Sequence, residues 1–194
     1  MKNLFSCIVL FVILTIITGL VYPLAVTGVS RVLFPEKVKG SLILVKEEII
    51  GSSLIGQKFQ SPAYFWPRPS ASDYQAVPSS VSNLGPTSAA LKQAMDDRKK
   101  NLVPYFSSSI PAELLLASGS GLDPHISPET ALAQIDRVAK ARGLSARDKE
   151  RLIALVKKNT EGPQGRIFGS PRVNVLRLNL ALDLSFPKNK GVNH

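Results

Sequence analysis

NLFSCIVLFVILTIITGLVYPLAVTGVS, residues Asn3–Ser30, contains no Asp, Glu, Lys or Arg, and its first part, Leu4–Leu14, is almost unbroken Leu, Ile, Val and Phe. A helix needs about 20 apolar residues to cross a hydrocarbon layer roughly 30 Å thick. This stretch is long enough to cross with some tilt. Lipid offers no partner to backbone N–H and C=O groups, so the segment must bond to itself and form a helix. The competing reading is a cleaved secretory signal, with Lys2 as its basic end and a cut near Ala25–Val26–Thr27. Apolar cores of such signals run only about 7–15 residues. The single cysteine, Cys7, also lies near the start, so no lipid-attachment cysteine follows the segment. The stretch therefore reads as a retained anchor over residues 1–34.

The anchor also carries polar and small residues. Thr15, Thr18, Gly19 and Tyr22 recur at spacings of three and four and so share one α-helical face. Thr15 and Gly19 form a small-x-x-x-small pair, which lets helix backbones approach closely in lipid. Such residues are common in membrane helices, so this face reads either as ordinary composition or as a surface that packs on other membrane helices. Pro23 is expected to kink the helix near its end. Lys2 flanks one end, and Arg31, Lys37 and Lys39 flank the other, offset by Glu36. Counted by the positive-inside rule, these charges lean toward a cytoplasmic domain.

Outside the anchor about 160 residues remain, one domain's worth. One cysteine excludes an intramolecular disulfide, and two histidines, His125 and His194, exclude a multi-histidine metal site. The net charge is +10, of which only Lys2 precedes Arg31. A concentrated basic run lies between Arg137 and Lys158. It reads as a solvated helical face or as attraction to anionic lipid or an acidic partner. Lacking interleaved aromatics, it points away from nucleic acid.

Short apolar stretches at Leu42–Val45 and Ser52–Ile55 predict strands. SPAYFWPRP, Ser61–Pro69, has three prolines and three adjacent aromatics, which predicts a rigid extended segment. Tyr64, Phe65 and Trp66 read as core plugs or as a partner-binding patch. Ser70–Pro86 predicts a long loop. Thr87–Leu102 predicts a helix with Leu91, Met95, Arg98 and Leu102 on one face, ended by Pro104. Pro111–Ala117 predicts a helical turn and Ser118–Pro128 a tight loop. Ser127 caps a helix that begins at Pro128, carries an apolar stripe of Leu132, Ile135, Val138 and Ala139, and stops at Gly143. Ser145 with Asp148 opens the next helix, with Leu152, Leu155 and Val156 inward. Gly162–Pro171 predicts a loop. In VNVLRLNLAL, Val173–Leu182, the alternating leucines favour a strand and the Leu and Ala content a helix; a strand is expected at Val173–Leu176, with the remainder open. The fold class is thus α+β: one N-terminal transmembrane helix, then a single mixed soluble domain over 35–186 with several helices and a small sheet, and a flexible tail over 187–194.

No phosphate-binding G-x-x-x-x-G-K-[ST], dinucleotide G-x-G-x-x-G or H-E-x-x-H pattern occurs. Asp123 and His125 could join a Ser–His–Asp arrangement, but Asp and His are ordinary turn residues in such a loop. Ser118–Gly121 could form an anion-holding nest or simply allow a sharp turn. These residues predict no catalytic residue, no metal and no firmly bound cofactor.

Seven stretches taken in order resemble one family: VYPLAVTGV (Val21–Val29), GSSLIGQKF (Gly51–Phe59), YFWPRPSASDY (Tyr64–Tyr74), SNLGPT (Ser82–Thr87), SGSGLDPHISP (Ser118–Pro128), QIDRVAKARG (Gln134–Gly143) and PRVNVLRLNLALD (Pro171–Asp183). Together they cover nearly the whole chain. The family is KdpC, the C subunit of the bacterial potassium-transporting Kdp ATPase. The resemblance implies a non-catalytic accessory subunit of a high-affinity, ATP-driven potassium importer, needed for its assembly and function. It implies three partners, a channel-like potassium-translocating subunit, a P-type ATPase subunit and a small single-helix subunit, besides membrane lipid. It also implies an inner-membrane location, with a cytoplasmic N-terminus and the domain on the outer face, against the charge count. ATP and potassium would be handled by the complex. The alternative implied role is a catalytic chaperone that raises the ATPase's affinity for ATP through a transient nucleotide-containing complex, with contacts at Ser79, Ser80, Ser82 and Asn83. Where the family usually carries Gly-Gly, this chain has Ser80-Val81, which argues against that contact. Expected subunit-contact residues are Thr15, Thr18, Gly19, Tyr22, Tyr64, Trp66 and Arg68.

Overall fold

A computed structural model describes residues 2–107, 109–165 and 167–187. The chain divides into two compact units, residues 1–50 and 51–194. The architecture is α+β, with one N-terminal apolar helix, further helices and small antiparallel sheets. Residues 188–194, most of the expected tail, lie outside the described residues.

The first unit opens with a helix over Lys2–Leu33, 32 residues long and so roughly 48 Å end to end. None of its residues is buried, and Phe11, Leu20 and Leu24 are all more than half exposed. An apolar surface of this kind is stable only in lipid or against other apolar helices. The helix has three parts: α1 (Lys2–Ile16), a π-helical turn (Ile17–Val21) and α2 (Tyr22–Leu33). The wider turn sits immediately before Pro23, whose ring would otherwise crowd the carbonyl four residues back. The Tyr22 N–H reaches the Ile17 carbonyl, five residues back. The hydroxyls of Thr15, Thr18 and Thr27 donate to the carbonyls of Phe11, Leu14 and Pro23, at 2.7–2.8 Å. Each hydroxyl proton is thereby satisfied within the helix.

After a short helix α3 (Pro35–Val38), the strands β1 (Leu42–Val45) and β2 (Glu48–Ser52) form a two-stranded sheet. Lys46 and Glu47 join them with φ of 52° and 69°, the sign pattern of the tight hairpin turns whose twist matches that of paired strands. The second strand therefore starts and ends earlier than the expected Ser52–Ile55. Ser52 instead closes a turn, its Oγ accepting the Leu54 N–H.

In the second unit, Ser88 caps α4 (Ala89–Leu102), its Oγ accepting from the Leu91 N–H. Leu91, Met95, Arg98 and Leu102 are part-buried, as expected of one face, and so is Ala94. A 3-10 turn, Val103–Tyr105, follows at Pro104, and a second, Ala112–Leu114, occupies the expected turn. Ser127 caps α5 (Pro128–Ala133), and Ser145 caps α7 (Ala146–Lys158). Between them α6 (Ile135–Arg142) ends at Gly143, with φ of 64°, the left-handed conformation that glycine adopts without penalty.

Three expectations are corrected. The helix from Pro128 is two helices, broken at Gln134, and Leu132 lies outside the core at 38 % exposure. The expected loops at Ser118–Pro128 and around Gly162 touch two very short strands, β3 (His125–Ile126) and β4 (Thr160–Glu161). They flank β5 (Arg172–Asn174) antiparallel, with His125 opposite Asn174 and Thr160 opposite Val173. Third, the strand ends at Asn174, and the open remainder of Val173–Leu182 is α8 (Val175–Ser185), capped by the Asn174 side chain. Its buried positions, 175, 176, 178, 179 and 182, follow a helical and not an alternating period. The core lies between α5–α8 and the sheet, with Val138, Leu152, Val156, Leu178 and Leu182 fully enclosed.

Candidate functional site

The segment Ser61–Pro69 forms no helix or strand, yet Phe65 at its centre is fully buried. A buried backbone needs partners, and here side chains supply them. Asn179 of α8 accepts from the Phe65 N–H (2.8 Å) and donates to the Phe65 carbonyl (3.0 Å). Gln134, at the break between α5 and α6, does the same for Trp66, at 2.8 and 3.2 Å. Each amide thus stands in for a neighbouring β-strand. Arg137 donates to the carbonyls of Pro62 (2.6 Å) and Tyr64 (2.8 Å), and Arg142 to that of Ala63 (2.7 Å).

Tyr64, Trp66 and Arg68 all have partners inside the domain. The Tyr64 hydroxyl donates to Asp183 (2.8 Å), and Asp183 also pairs with Arg142 (2.6 Å). Trp66 lies under the Arg137 guanidinium, 3.6 Å from the ring centre, and meets Tyr105 edge-on. Arg68 pairs with Asp123 at 3.2 Å. The Tyr74 hydroxyl donates to the Arg68 carbonyl (2.6 Å), and burial pushes that phenol up to about 12.

Asp123 and His125 do come together, with the His125 Nδ1 3.6 Å from the carboxylate. The carboxylate also accepts the His125 backbone N–H, as in an Asx turn. Burial would raise the Asp123 carboxyl, but hydrogen bonds from His125 and the Arg68 charge hold it below the usual range. Both residues line a cleft of about 300 Å³ with Arg68, Glu113, Ser127 and Arg172. The Ser127 Oγ there donates to Thr130 and accepts its N–H, as a helix cap does.

A larger cleft, about 440 Å³, is lined by Pro62, Pro104, Tyr105, Phe106, Asp136, Arg137 and Lys140, among others. Arg137 is 5 % exposed and Lys140 is exposed. Burial pushes the Arg137 guanidinium down to about 9, which leaves it charged at neutral pH.

A family model described as "K+-transporting ATPase, c chain" matches residues 4–184. The chain belongs to this family, KdpC. Curated relatives agree over nearly their whole lengths. A potassium-transporting ATPase KdpC subunit of Dechloromonas aromatica is 54 % identical over 180 residues, which cover 90 % of this chain and 93 % of that one. Those of Rhodopseudomonas palustris and Geobacter sulfurreducens are 48 % and 49 % identical, each aligned over its full length and over 97 % and 96 % of this chain.

Within this KdpC chain, Ser79, Ser80, Ser82 and Asn83 lie on an exposed irregular stretch. The Ser80 Oγ donates to the Val81 carbonyl, and Asn83 has φ of 52°. None of the clefts described above is lined by them. In the Ser118–Gly121 turn the ends, Ser118 and Gly121, are buried, while Gly119 and Ser120 are exposed. A Cβ on Gly121 would stand 2.6 Å from the Ser80 carbonyl, and one on Gly56 2.8 Å from the Asp123 carbonyl, so both glycines permit close backbone approach. In the anchor, the spacing of Thr15, Thr18, Gly19 and Tyr22 runs across the π turn. One extra residue in that turn rotates Tyr22 by about 100° relative to an unbroken α-helix.

Sequence reasoning missed Gln134 and Asn179. The available signal was two uncharged amides among apolar helix positions, a pattern that demands a buried partner.

Proposed function

We propose that this chain is a non-catalytic accessory subunit of an ATP-driven potassium pump, held in the bacterial inner membrane by Lys2–Leu33 and needed to assemble the complex. The observation that carries the reading is the match over residues 4–184 to the potassium-transporting ATPase c chain. The physics of the anchor supports it. A 32-residue helix with no buried residue is covered by lipid and by other membrane helices. The small surface around Gly19, where an added Cβ would meet nothing within 4 Å, is the place for close helix approach. In this reading Thr15, Thr18 and Gly19 face the pump's membrane subunits, Tyr22, turned aside by the π turn, meets them from beside that face, and the domain lies on the outer face. ATP and potassium are bound elsewhere in the complex.

The test is co-purification from mild detergent. The native chain should bring down the channel-like, ATPase and single-helix subunits. Gly19→Leu should reduce their recovery at least about tenfold, since close helix packing requires small residues at the contact. Full ATPase activity and stability in a pump preparation lacking this chain would defeat the reading. A defect confined to ATP affinity, in an otherwise intact complex lacking this chain, would favour the chaperone role instead.

A further inference from the structure

The 440 Å³ cleft has an unbalanced charge. Arg137 lies in its wall, almost wholly buried. Its bonds go to the neutral oxygens of Pro62, Tyr64 and Gln134, and its Nε has no partner. Among the described residues no carboxylate pairs with it. Lys140, one helical turn further along α6, lines the same cleft, is exposed and likewise makes no ion pair among the described residues. The one carboxylate in the lining, Asp136, is engaged by Lys149 of α7. A buried guanidinium without a counter-ion is a costly arrangement that a nearby anion relieves.

Apart from Ser107, the rest of the lining is largely apolar: Pro62, Pro104, Tyr105, Phe106 and Ala141. Tyr105 is 42 % exposed although its ring packs against Trp66. A cleft with apolar walls, one exposed amine and one guanidinium behind it suits an acidic side chain flanked by apolar ones. With Asp136 balanced by Lys149, Lys140 is the exposed cation of the lining left without an ion-pair partner among the described residues, which matches a single carboxylate. A triphosphate would bring several negative charges toward the Asp136 side.

We propose that this cleft is a docking socket for an Asp or Glu side chain of a neighbouring pump subunit, which pairs with Lys140 at the mouth while Arg137 supplies the field behind it. The socket rests on the reading that the chain works inside the pump, and it fixes the chemistry of one contact in that assembly. Arg137 positions the Pro62–Trp66 backbone and polarises the cleft. Lys140 makes the direct contact.

The test uses the intact, detergent-solubilised complex and a water-soluble carbodiimide. The reagent activates a carboxylate, the Lys140 amine attacks it, and the carbodiimide leaves as its urea. The product is an amide with no spacer, formed only where amine and carboxylate already touch. Peptide mass spectrometry should find Lys140 joined to an Asp or Glu of another subunit. Lys140→Arg should keep the complex and lose the cross-link. Lys140→Glu should weaken association at least about tenfold at moderate salt, while Lys157→Glu on α7 should not. In a complex shown intact by co-elution, a Lys140 cross-link only to Asp136 of its own chain, or none while other lysines react, would overturn the socket and leave the pump role standing. Protection of Lys140 by added ATP, without an inter-subunit cross-link, would assign the cleft to a nucleotide and also overturn it. Recovery of this chain free of every other subunit would remove the pump reading and the socket together.

Discussion

Two adjacent segments, Ser61–Pro69 and Ser70–Pro86, look alike in one respect: both are interrupted by proline, and both read as non-helical. They differ completely in what surrounds them. The first has its central residue at zero exposure and its backbone held by Gln134, Arg137, Arg142 and Asn179. The second is exposed from Gln75 to Pro86. Proline content rules out a regular helix, but it does not decide burial. What decides it is whether distant side chains supply the hydrogen bonds that a strand would otherwise provide.

The sharpest way to break this contrast is Asn179→Leu. Leucine fills a similar volume but leaves the Phe65 N–H and carbonyl buried and unpaired. Each orphaned group costs about 1–3 kcal/mol, so the domain should lose about 2–6 kcal/mol. Thermal unfolding of the full chain in detergent measures it. A loss under about 1 kcal/mol would mean that the amide clamp is not what holds the segment.

The same contrast shows how much of the fold was legible. The caps at Ser127 and Ser145 and the stop at Gly143 are readable because capping is local: the partner lies within a few residues. The apolar helix of residues 2–33 was readable because composition alone dictates it. The two-residue strands β3 and β4 were not, because they exist only through pairing with β5. α8 is ambiguous in the sequence because leucine at every second position from 176 to 182 satisfies a strand period, while burial of Val175 and Asn179 completes a helical one. Of the site residues, Tyr64, Trp66 and Arg68 were visible as candidates. Their partners Asp183, Arg137 and Asp123 lie 55 to 119 residues away and leave no local trace.

A smaller effect belongs where the clamped segment ends, at Arg68 and Asp123. The folded-state carboxyl of Asp123 is held below its ordinary value, so the unfolded chain takes up this proton first as pH falls. The stability it contributes is fully present above the ordinary carboxylate value, about pH 4. It disappears as pH falls through the lower folded-state value. Asp123→Asn should therefore reduce stability modestly at neutral pH and remove this group's share of the acid-side decline. Urea midpoints measured between about pH 7 and pH 3 for the two chains should converge at the acid end. Parallel curves would show that Asp123 is not held by its neighbours.

The smallest effect lies in the exposed segment. Ser80 touches the folded domain where its carbonyl meets the bare Cα of Gly121, and its hydroxyl reaches only the Val81 carbonyl. Removing the hydroxyls of Ser80 and Ser82 leaves the Ser80–Gly121 backbone approach untouched. Ser80→Ala with Ser82→Ala should thus change stability by no more than about 0.5 kcal/mol, as exposed substitutions usually do. Gly121→Ala should destabilise clearly more, because its new methyl group would collide with that carbonyl and because its φ of 71° disfavours any side chain. Since the double serine variant leaves the fold intact, it also isolates the nucleotide question. An unchanged ATP dependence of pump activity would count against contact through these hydroxyls. A raised ATP requirement at unchanged stability would place the chaperone role in this loop, and would make the less anchored of the two segments the functional one.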